Sequence, residues 1–527
     1  MRHLLSPIVL LTLSALTLRP GDAGQPPPYD LLLRHGRVLD GTGAPPVAAD
    51  IAIRGDRVVE VGALPGARAA RIIDAGGLTV APGFIDVHSH AADGLGGGLH
   101  TAGPLLAQGV TTVFLNHDGA GAVDLRAQRA RLEARGVGVN IAQLVPHGAI
   151  RRAVMGLADR APRRQEFTRM TRLVRAGMDE GGAGLSTGLY YAPGSYAKTS
   201  EIVALAKIVA GHGGVYTSHI RDEGNYSVGV LAAIQEVIQI AEQASITGVV
   251  SHMKVLGPAQ WGLAPALAAA IDQARARGVQ IFADQYPYDA GGTTLASALV
   301  PRWAEAGGRP MLLERLAGPE RGRLKAAIAE NLERRGGPES LVLSGYGRSR
   351  SVQDRTIAAI AARLGLPPVD AVMTLLERAD WPTVSFSMSE ADIVHIMRQP
   401  WTMTCSDGEL TAPGRGLPHP RGYGAFARKL GVYVRERRVI GLPDAIRSMT
   451  SLPAEVFGLK DRGVVAAGAL ADLVAFDPET ITDMATYESP HQRARGVRYV
   501  LVNGVVVIDG GKGTGATPGR FLRPERR

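Results

Sequence analysis

The sequence predicts an α/β fold: a (β/α)8 TIM-like barrel with a small β-sandwich domain built from both chain ends. Three observations carry this. The middle of the chain alternates eight short apolar runs with helix-like stretches, which implies parallel strands with helical crossovers. Both ends instead carry short alternating runs punctuated by Gly and Asn-Gly, the pattern of a small antiparallel β domain. At 527 residues the chain is also too long for one modest core.

Taken in order, Met1-Arg2-His3 precedes the apolar run Leu4 to Leu18 and the small-residue exit near Ala23. This reads as a signal peptide over residues 1–23, and it predicts a secreted or periplasmic, soluble product. The run is short for a spanning helix and no later segment qualifies, so no membrane span is expected. Residues 29–81 hold strand-like runs at Leu31 to Leu33, Arg37 to Leu39, Asp50 to Ile53, Arg57 to Val61 and Arg71 to Asp74. Residues 82–455 form the barrel, with strands expected at Gly83 to Val87, Thr111 to Leu115, Val137 to Leu144, Gly184 to Ser186, Val215 to Ser218, Thr247 to Ser251, Gln280 to Ala283 and Trp401 to Thr404. Helices are expected between them at Arg126 to Arg135, Phe167 to Asp179, Glu201 to Ala210, Ser227 to Gln243 and Leu263 to Arg277. The seventh and eighth strands are too far apart for a connector. An insertion at about 291–348 is therefore expected over the barrel mouth as a lid or specificity element, with Gly291-Gly292 as its hinge, or else as an oligomer contact away from the chemistry. Residues 456–515 return to β patterning, with Asn503-Gly504 as a hairpin turn, and 516–527 form a basic tail.

The chemistry sits at strand ends. In Asp86-Val87-His88-Ser89-His90 the two histidines are two apart, so on a strand both imidazoles point the same way and reach one metal ion. Single polar residues then close later runs: Asp118, His219, His252 and Asp407. Histidines and carboxylates gathered from several strand ends are how a barrel builds a metal site. His88, His90, Asp118, His219, His252 and Asp407 are the candidate ligands, with His117 competing with its neighbour Asp118. Asp407 is also the candidate proton shuttle, since a carboxylate beside an activated water can take its proton and pass it to a leaving nitrogen. Asp86 is expected to orient a ligand imidazole, and Cys405 to be a buried small hydrophobe. Lys254, Arg221, Tyr286, Tyr288 and Arg421 are candidates for holding a substrate carboxylate, for which a paired Arg is most specific.

Composition excludes other classes. The formal charge of +9 comes from 58 basic and 49 acidic residues scattered along the chain, without a basic patch interleaved with aromatics, so nucleic acid is not an expected partner. Cys405 is the single cysteine, so no disulfide within the chain is possible. Oligomeric state is not legible.

These residues also resemble a family. The segments Ala81 to His90, Gly109 to Val113, Ser186 to Gly194, Ser218 to Glu223, Ser251 to Lys254, Tyr286 to Tyr288, Ser406 to Gly408 and His419 to Arg421 form an ordered set similar to the D-aminoacylase (N-acyl-D-amino-acid deacylase) group of the amidohydrolase superfamily. The resemblance implies a zinc enzyme with one or two ions that hydrolyses the amide of N-acyl-D-amino acids or related carboxylate-bearing amides by metal-activated hydroxide. It implies a tight ion held by a cysteine after strand two and by His219 and His252. A second position is faced by His88, His90 and Asp407, with carboxylate contacts at Lys254, Tyr286 and Arg421. Two positions depart from the family: its cysteine falls on Asp118, and a serine expected six after Tyr286 is Gly292. No lysine ends strand four, which argues against a hydantoinase or dihydroorotase. A dipeptidase or xenobiotic amidase, a cyclic amidase or lactonase, and a binding protein without turnover are the competing readings.

Overall fold

Runs such as Val110–Leu115 are buried on both faces, which suits a strand covered by helices outside and by side chains within. Eight such strands form the barrel in a computed structural model that describes residues 28–414 and 416–525. They are β1 (Phe84–Asp86), β2 (Val110–Leu115), β3 (Asn140–Gln143), β4 (Gly184–Gly188), β5 (Val215–His219), β6 (Gly248–Val250), β7 (Ile281–Gln285) and β8 (Thr402–Thr404). All neighbouring pairs are parallel; β1 to β3 form one ladder, and Val145–Pro146, just beyond β3, opens a second that runs through β4 to β8. Between β8 and β1 the circuit closes at the mouth. Asp86 accepts hydrogen bonds from Ser406 N at 2.9 Å and Ser406 Oγ at 2.5 Å, and Gly408–Glu409 pairs with Ser89–His90.

The expected helices are present with small shifts, at Leu125–Glu133, Arg164–Asp179, Thr199–Ala210, Val230–Ala244 and Ala264–Ala276. Their starts follow local chemistry: Asp124 Oδ1 accepts from Ala127 N at 2.8 Å, and Glu166 accepts from Arg163 N at 2.6 Å. Among the described residues no single helix is long and apolar enough to cross a membrane. The expected signal peptide, 1–23, lies outside the described residues.

The two chain ends build one β domain, but it is a single mixed sheet, not an antiparallel pair of layers. Tyr29–Val38 is one continuous strand that runs parallel to Ala69–Asp74 and to Thr79–Pro82. Thr79–Pro82 also pairs with Leu473–Phe476, which joins the two ends. The sheet curls until Arg57 bridges Leu470, and Leu31, Ile51, Ile73, Leu473 and Leu501 share its interior. Asn503 and Gly504, at φ 49° and 79°, make the tight turn of the hairpin Val497–Val502 and Val505–Asp509.

Two expected boundaries differ. Between β7 and β8, Gly291–Thr294 pairs with Pro382–Ser385, which in turn pairs with Leu341–Leu343, over a separate apolar core that includes Leu299, Leu324, Leu341 and Leu375. The inserted unit thus runs past residue 348 to Ser385. Its first strand is fixed in a ladder, so Gly291-Gly292 is not a free hinge. The basic tail is also not free through Glu525: Gly519 N donates to Val137 O, Ile141 N to Arg520 O and Leu522 N to Ile141 O, all at 2.8–2.9 Å.

Candidate metal centre

The six proposed ligands converge at the carboxyl ends of the barrel strands. His88, His90, Asp118 and Asp407 form one group and Asp118, His219 and His252 a second, each with ligand atoms within 4.8 Å of one another. Asp118 belongs to both. Its Oδ1 lies 3.4 Å from His88 Nε2, 3.5 Å from His252 Nε2 and 4.0 Å from His219 Nδ1, while Oδ2 lies 3.4 Å from His90 Nε2. Asp407 Oδ1 lies 3.1 Å from His90 Nε2 and 3.5 Å from His88 Nε2. A carboxylate has two oxygens and can bridge two cations; an imidazole presents one nitrogen to a site. That separates Asp118 from His117, whose ring instead stacks behind His88 with centroids 4.0 Å apart.

The donors fit a divalent metal. Among the described residues, His88 Nε2 and Asp118 Oδ1 are buried with no hydrogen-bond partner, which is costly unless something else meets them. His219 Nδ1 and His252 Nε2 lie 2.9 Å apart, and two nitrogens on one tetrahedral zinc lie about 3.3 Å apart. Burial drives His219 down to about 3, which leaves it neutral, the state in which an imidazole binds a metal. Burial and Lys254 oppose a proton on His252, but Asp407 and Asp118 outweigh them and lift it to about 9. The negative charge that favours that proton favours a metal ion in its place. Burial alone would raise the Asp407 and Asp118 carboxyls. Arg421 and His252 hold Asp407 well below the usual range, and His88 and His252 do the same for Asp118.

Backbone strain marks the same residues. Asp118, His252 and Asp407 sit at φ 56°, 35° and 47°, the left-handed region that a non-glycine residue enters at a cost of about 1–3 kcal/mol. Each lies just past its strand, where the chain must turn the side chain back over the barrel axis.

A cavity of about 610 Å3 opens over this cluster, lined by Lys254, Tyr286 and Arg421 among others. Arg421 Nη1 lies 2.6 Å from Asp407 Oδ2 and its guanidinium sits 4.7 Å over the Tyr286 ring, whose hydroxyl has no partner among the described residues. Lys254 Nζ already meets Glu223 Oε1 at 2.5 Å and His252 Nδ1 at 2.6 Å. Two other candidates lie elsewhere. Arg221 is held by a two-point pair with Glu236 at 2.8 Å and by the carbonyls of Ser195 and Ala197, so it braces a loop. Tyr288 stands behind His419, ring edge to ring face at 5.1 Å, and its hydroxyl faces Asp483. His419 in turn accepts from Arg421 N at 3.1 Å and donates to Ala290 O, so the Tyr288 layer fixes Arg421 indirectly.

Asp86 does not touch an imidazole; it holds Ser406 beside Asp407, and Asp284 Oδ1 stands 3.7 Å from His88 Nδ1. Glu223 is the residue that sequence reasoning passed over. It lies 3.1 Å from His252 Nδ1 and 3.7 Å from His219 Nε2, the outer side of both rings, where a carboxylate orients metal-binding imidazoles. Its position four after His219 was the available signal. Cys405 is buried and is in neither ligand group.

A model of the Amidohydrolase family matches residues 71–508. The chain belongs to that family. It is 35% identical over 520 residues to an N-acyl-D-glutamate deacylase of Alcaligenes xylosoxydans xylosoxydans, covering 94% of this chain and 96% of the relative. A crystal structure of N-acyl-D-glutamate deacylase from Bordetella bronchiseptica, with zinc and a phosphonate mimic of the reaction's tetrahedral intermediate, superposes with a TM-score of 0.79 at 34% identity, over 94% of this chain and 99% of that one. A D-aminoacylase studied for its binuclear metal centre superposes at 0.80 with 33% identity, over 94% and 100%. This amidohydrolase is a metal-dependent enzyme acting on non-peptide amide bonds, of the D-aminoacylase group, with a binuclear His/Asp centre.

Proposed function

We propose that the protein hydrolyses N-acyl-D-amino acids, adding water across the amide to release a carboxylic acid and a D-amino acid. His88, His90, Asp118 and Asp407 would hold one Zn²⁺, and Asp118, His219 and His252 the other. When bound, zinc supplies Lewis acidity that polarises the amide carbonyl and lowers the pKa of water. Asp407 accepts the proton of the attacking water and delivers it to the leaving nitrogen as the C–N bond breaks. Arg421 receives the substrate carboxylate with Tyr286 OH, and Lys254 adds positive charge to the same wall. Because Arg421 Nη1 lies 2.6 Å from Asp407 Oδ2, an arriving carboxylate competes for that guanidinium and frees the oxygen that must take the proton. The observation that carries this reading is the sharing of Asp118 between two ligand groups beneath a cavity walled by Arg421 and Tyr286. The basic head and apolar run of residues 1–18 support export of the product.

The test is metal analysis together with turnover of D and L acyl-amino-acid pairs carrying free or methyl-blocked carboxylates. Near two equivalents of zinc and hydrolysis confined to free D acids is the expected result. Equal hydrolysis of blocked substrates, or of dipeptides and lactones alone, would refute it.

A further inference from the structure

The barrel carries one buried carboxylate that the chemistry above does not use. Asp284, near the end of β7, is 1% exposed, and its Oδ2 has no hydrogen-bond partner among the described residues. Other buried carboxylates are offset in one of two ways. Asp407, Glu201, Glu223 and Asp472 each face an arginine or a lysine. Asp86, Asp222 and Asp392 have both oxygens hydrogen-bonded. Among the described residues, Asp284 is the one buried carboxylate with neither. A buried charge left in that state is expensive to retain, so something must offset it in the working protein.

Its other oxygen serves a ligand from each group. Oδ1 accepts from His252 N at 2.7 Å, and the Asp284 carbonyl accepts from Met253 N at 2.7 Å. These two bonds hold the chain just past β6, where His252 sits at φ 35°. The same Oδ1 lies 3.7 Å from His88 Nδ1, within about 1 Å of hydrogen-bond length. Among the described residues that nitrogen is hydrogen-bonded to nothing. A neutral imidazole carries one N–H. For His88 Nε2, 3.4 Å from Asp118 Oδ1, to bind a cation, the proton must sit on Nδ1, where Asp284 Oδ1 is the acceptor in reach. His252 differs: Glu223 Oε1 already stands 3.1 Å from its Nδ1, so Asp284 acts on that ligand through the main chain.

We propose that Asp284 is a positioning residue for both zinc ions. Its Oδ1 accepts a hydrogen bond from His88 Nδ1, which leaves Nε2 bare for one ion, and it fixes the turn that aims His252 at the other. Its charge, unpaired within the chain, is offset by the cations beyond the two rings. This rests on the zinc positions assigned above.

Zinc titration of the metal-free protein against a chelating indicator, with the melting temperature of the metal-free form beside it, reads this out. Asp284→Asn keeps an oxygen for His252 N and loses the charge. One zinc dissociation constant should therefore rise about 10–100-fold while the other moves less than about threefold. Asp284→Ala should raise both. The metal-free asparagine variant should melt no lower than wild type, because an unpaired buried charge is gone; a residue that served the fold alone would give the reverse. Constants within about threefold of wild type in both variants would overturn the role. So would a weakening matched by a lower melting temperature of the metal-free asparagine variant. Should the variants not fold, NMR of the zinc-loaded wild type with isotope-labelled histidine keeps the test. The His88 Nδ1–H is expected far downfield and slow to exchange with water, and an ordinary shift with fast exchange would overturn the role. Wild-type protein that takes up less than one equivalent of zinc would overturn the zinc positions themselves, whereas two equivalents with unchanged variants would overturn Asp284 alone.

Discussion

Asp118 belongs to both candidate ligand groups. Asp118→Ala should remove a donor from both groups, and metal content is expected to fall below one equivalent with the fold retained. Asp118→Cys should keep one ion and shift selectivity toward softer metals, because a thiolate replaces a hard oxygen; competition between Zn²⁺ and Mn²⁺ reads this out. Unchanged metal content in the alanine variant would rule out the bridge. Asp407→Asn keeps a donor oxygen but cannot take a proton, so turnover should drop about 10²–10⁴-fold with zinc retained. Outside both ligand groups, Lys429 is buried against β8, where it donates to Thr404 Oγ1 and Ser448 Oγ, and burial brings its pKa down to about 7. The unfolded chain, at an ordinary lysine value, then binds more protons between about pH 7 and 10, so this group's contribution to stability rises with pH across that window. Lys429→Met should flatten the melting temperature against pH there; an unchanged slope would refute it. The proposed ligands were legible because each is a histidine or aspartate at the end of a strand-like run. Arg221 was misread because sequence spacing near His219 says nothing of Glu236, which claims it through space. Glu223 was missed because its partners are ring nitrogens on the side of each histidine away from Asp118.

At the level of elements, the barrel strands could be read within three residues at either end, since burial on both faces demands continuous apolar runs. The inserted sheet could not. Its first strand is Gly-Gly-Thr-Thr, without alternation, and it is held by backbone pairing to Pro382–Ser385 from far along the chain. The docking of the C-terminal segment on β3 was invisible for the same reason: the contacts are main-chain N–H and C=O groups, and any sequence supplies those. Deleting residues 516–527 should leave Val137 to Ile141 with unpaired polar groups and lower the melting temperature by several degrees. Activity at 25 °C should be kept, because this contact lies at the opposite end of the strands from the metal cluster. A truncated protein that melts unchanged but loses activity would contradict that assignment.

Across the whole molecule, one buried network ties barrel, terminal sheet and C-terminal segment together. Asp472 pairs with Arg462 and accepts from Asn140 Nδ2 at 3.0 Å and Asn503 N at 2.7 Å, and Asn503 Nδ2 reaches Pro518 O at 2.8 Å. Asp472→Ala strands the Arg462 charge and should cost about 3–5 kcal/mol, read from the denaturant midpoint; a loss under about 1 kcal/mol would show the network to be slack. The sheet shared by both chain ends also sets a timetable. On a ribosome, Thr79–Pro82 emerges early and finds Tyr29–Val38, but its other edge waits for Leu473–Phe476. At about 5–20 residues per second that wait is roughly 20 to 80 s, during which a bare strand edge is open to pairing with any neighbour. The nascent chain therefore stays vulnerable until Leu473–Phe476 is made, and a holdase that covers residues 29–82 during synthesis would raise the yield of folded protein more than one acting after release.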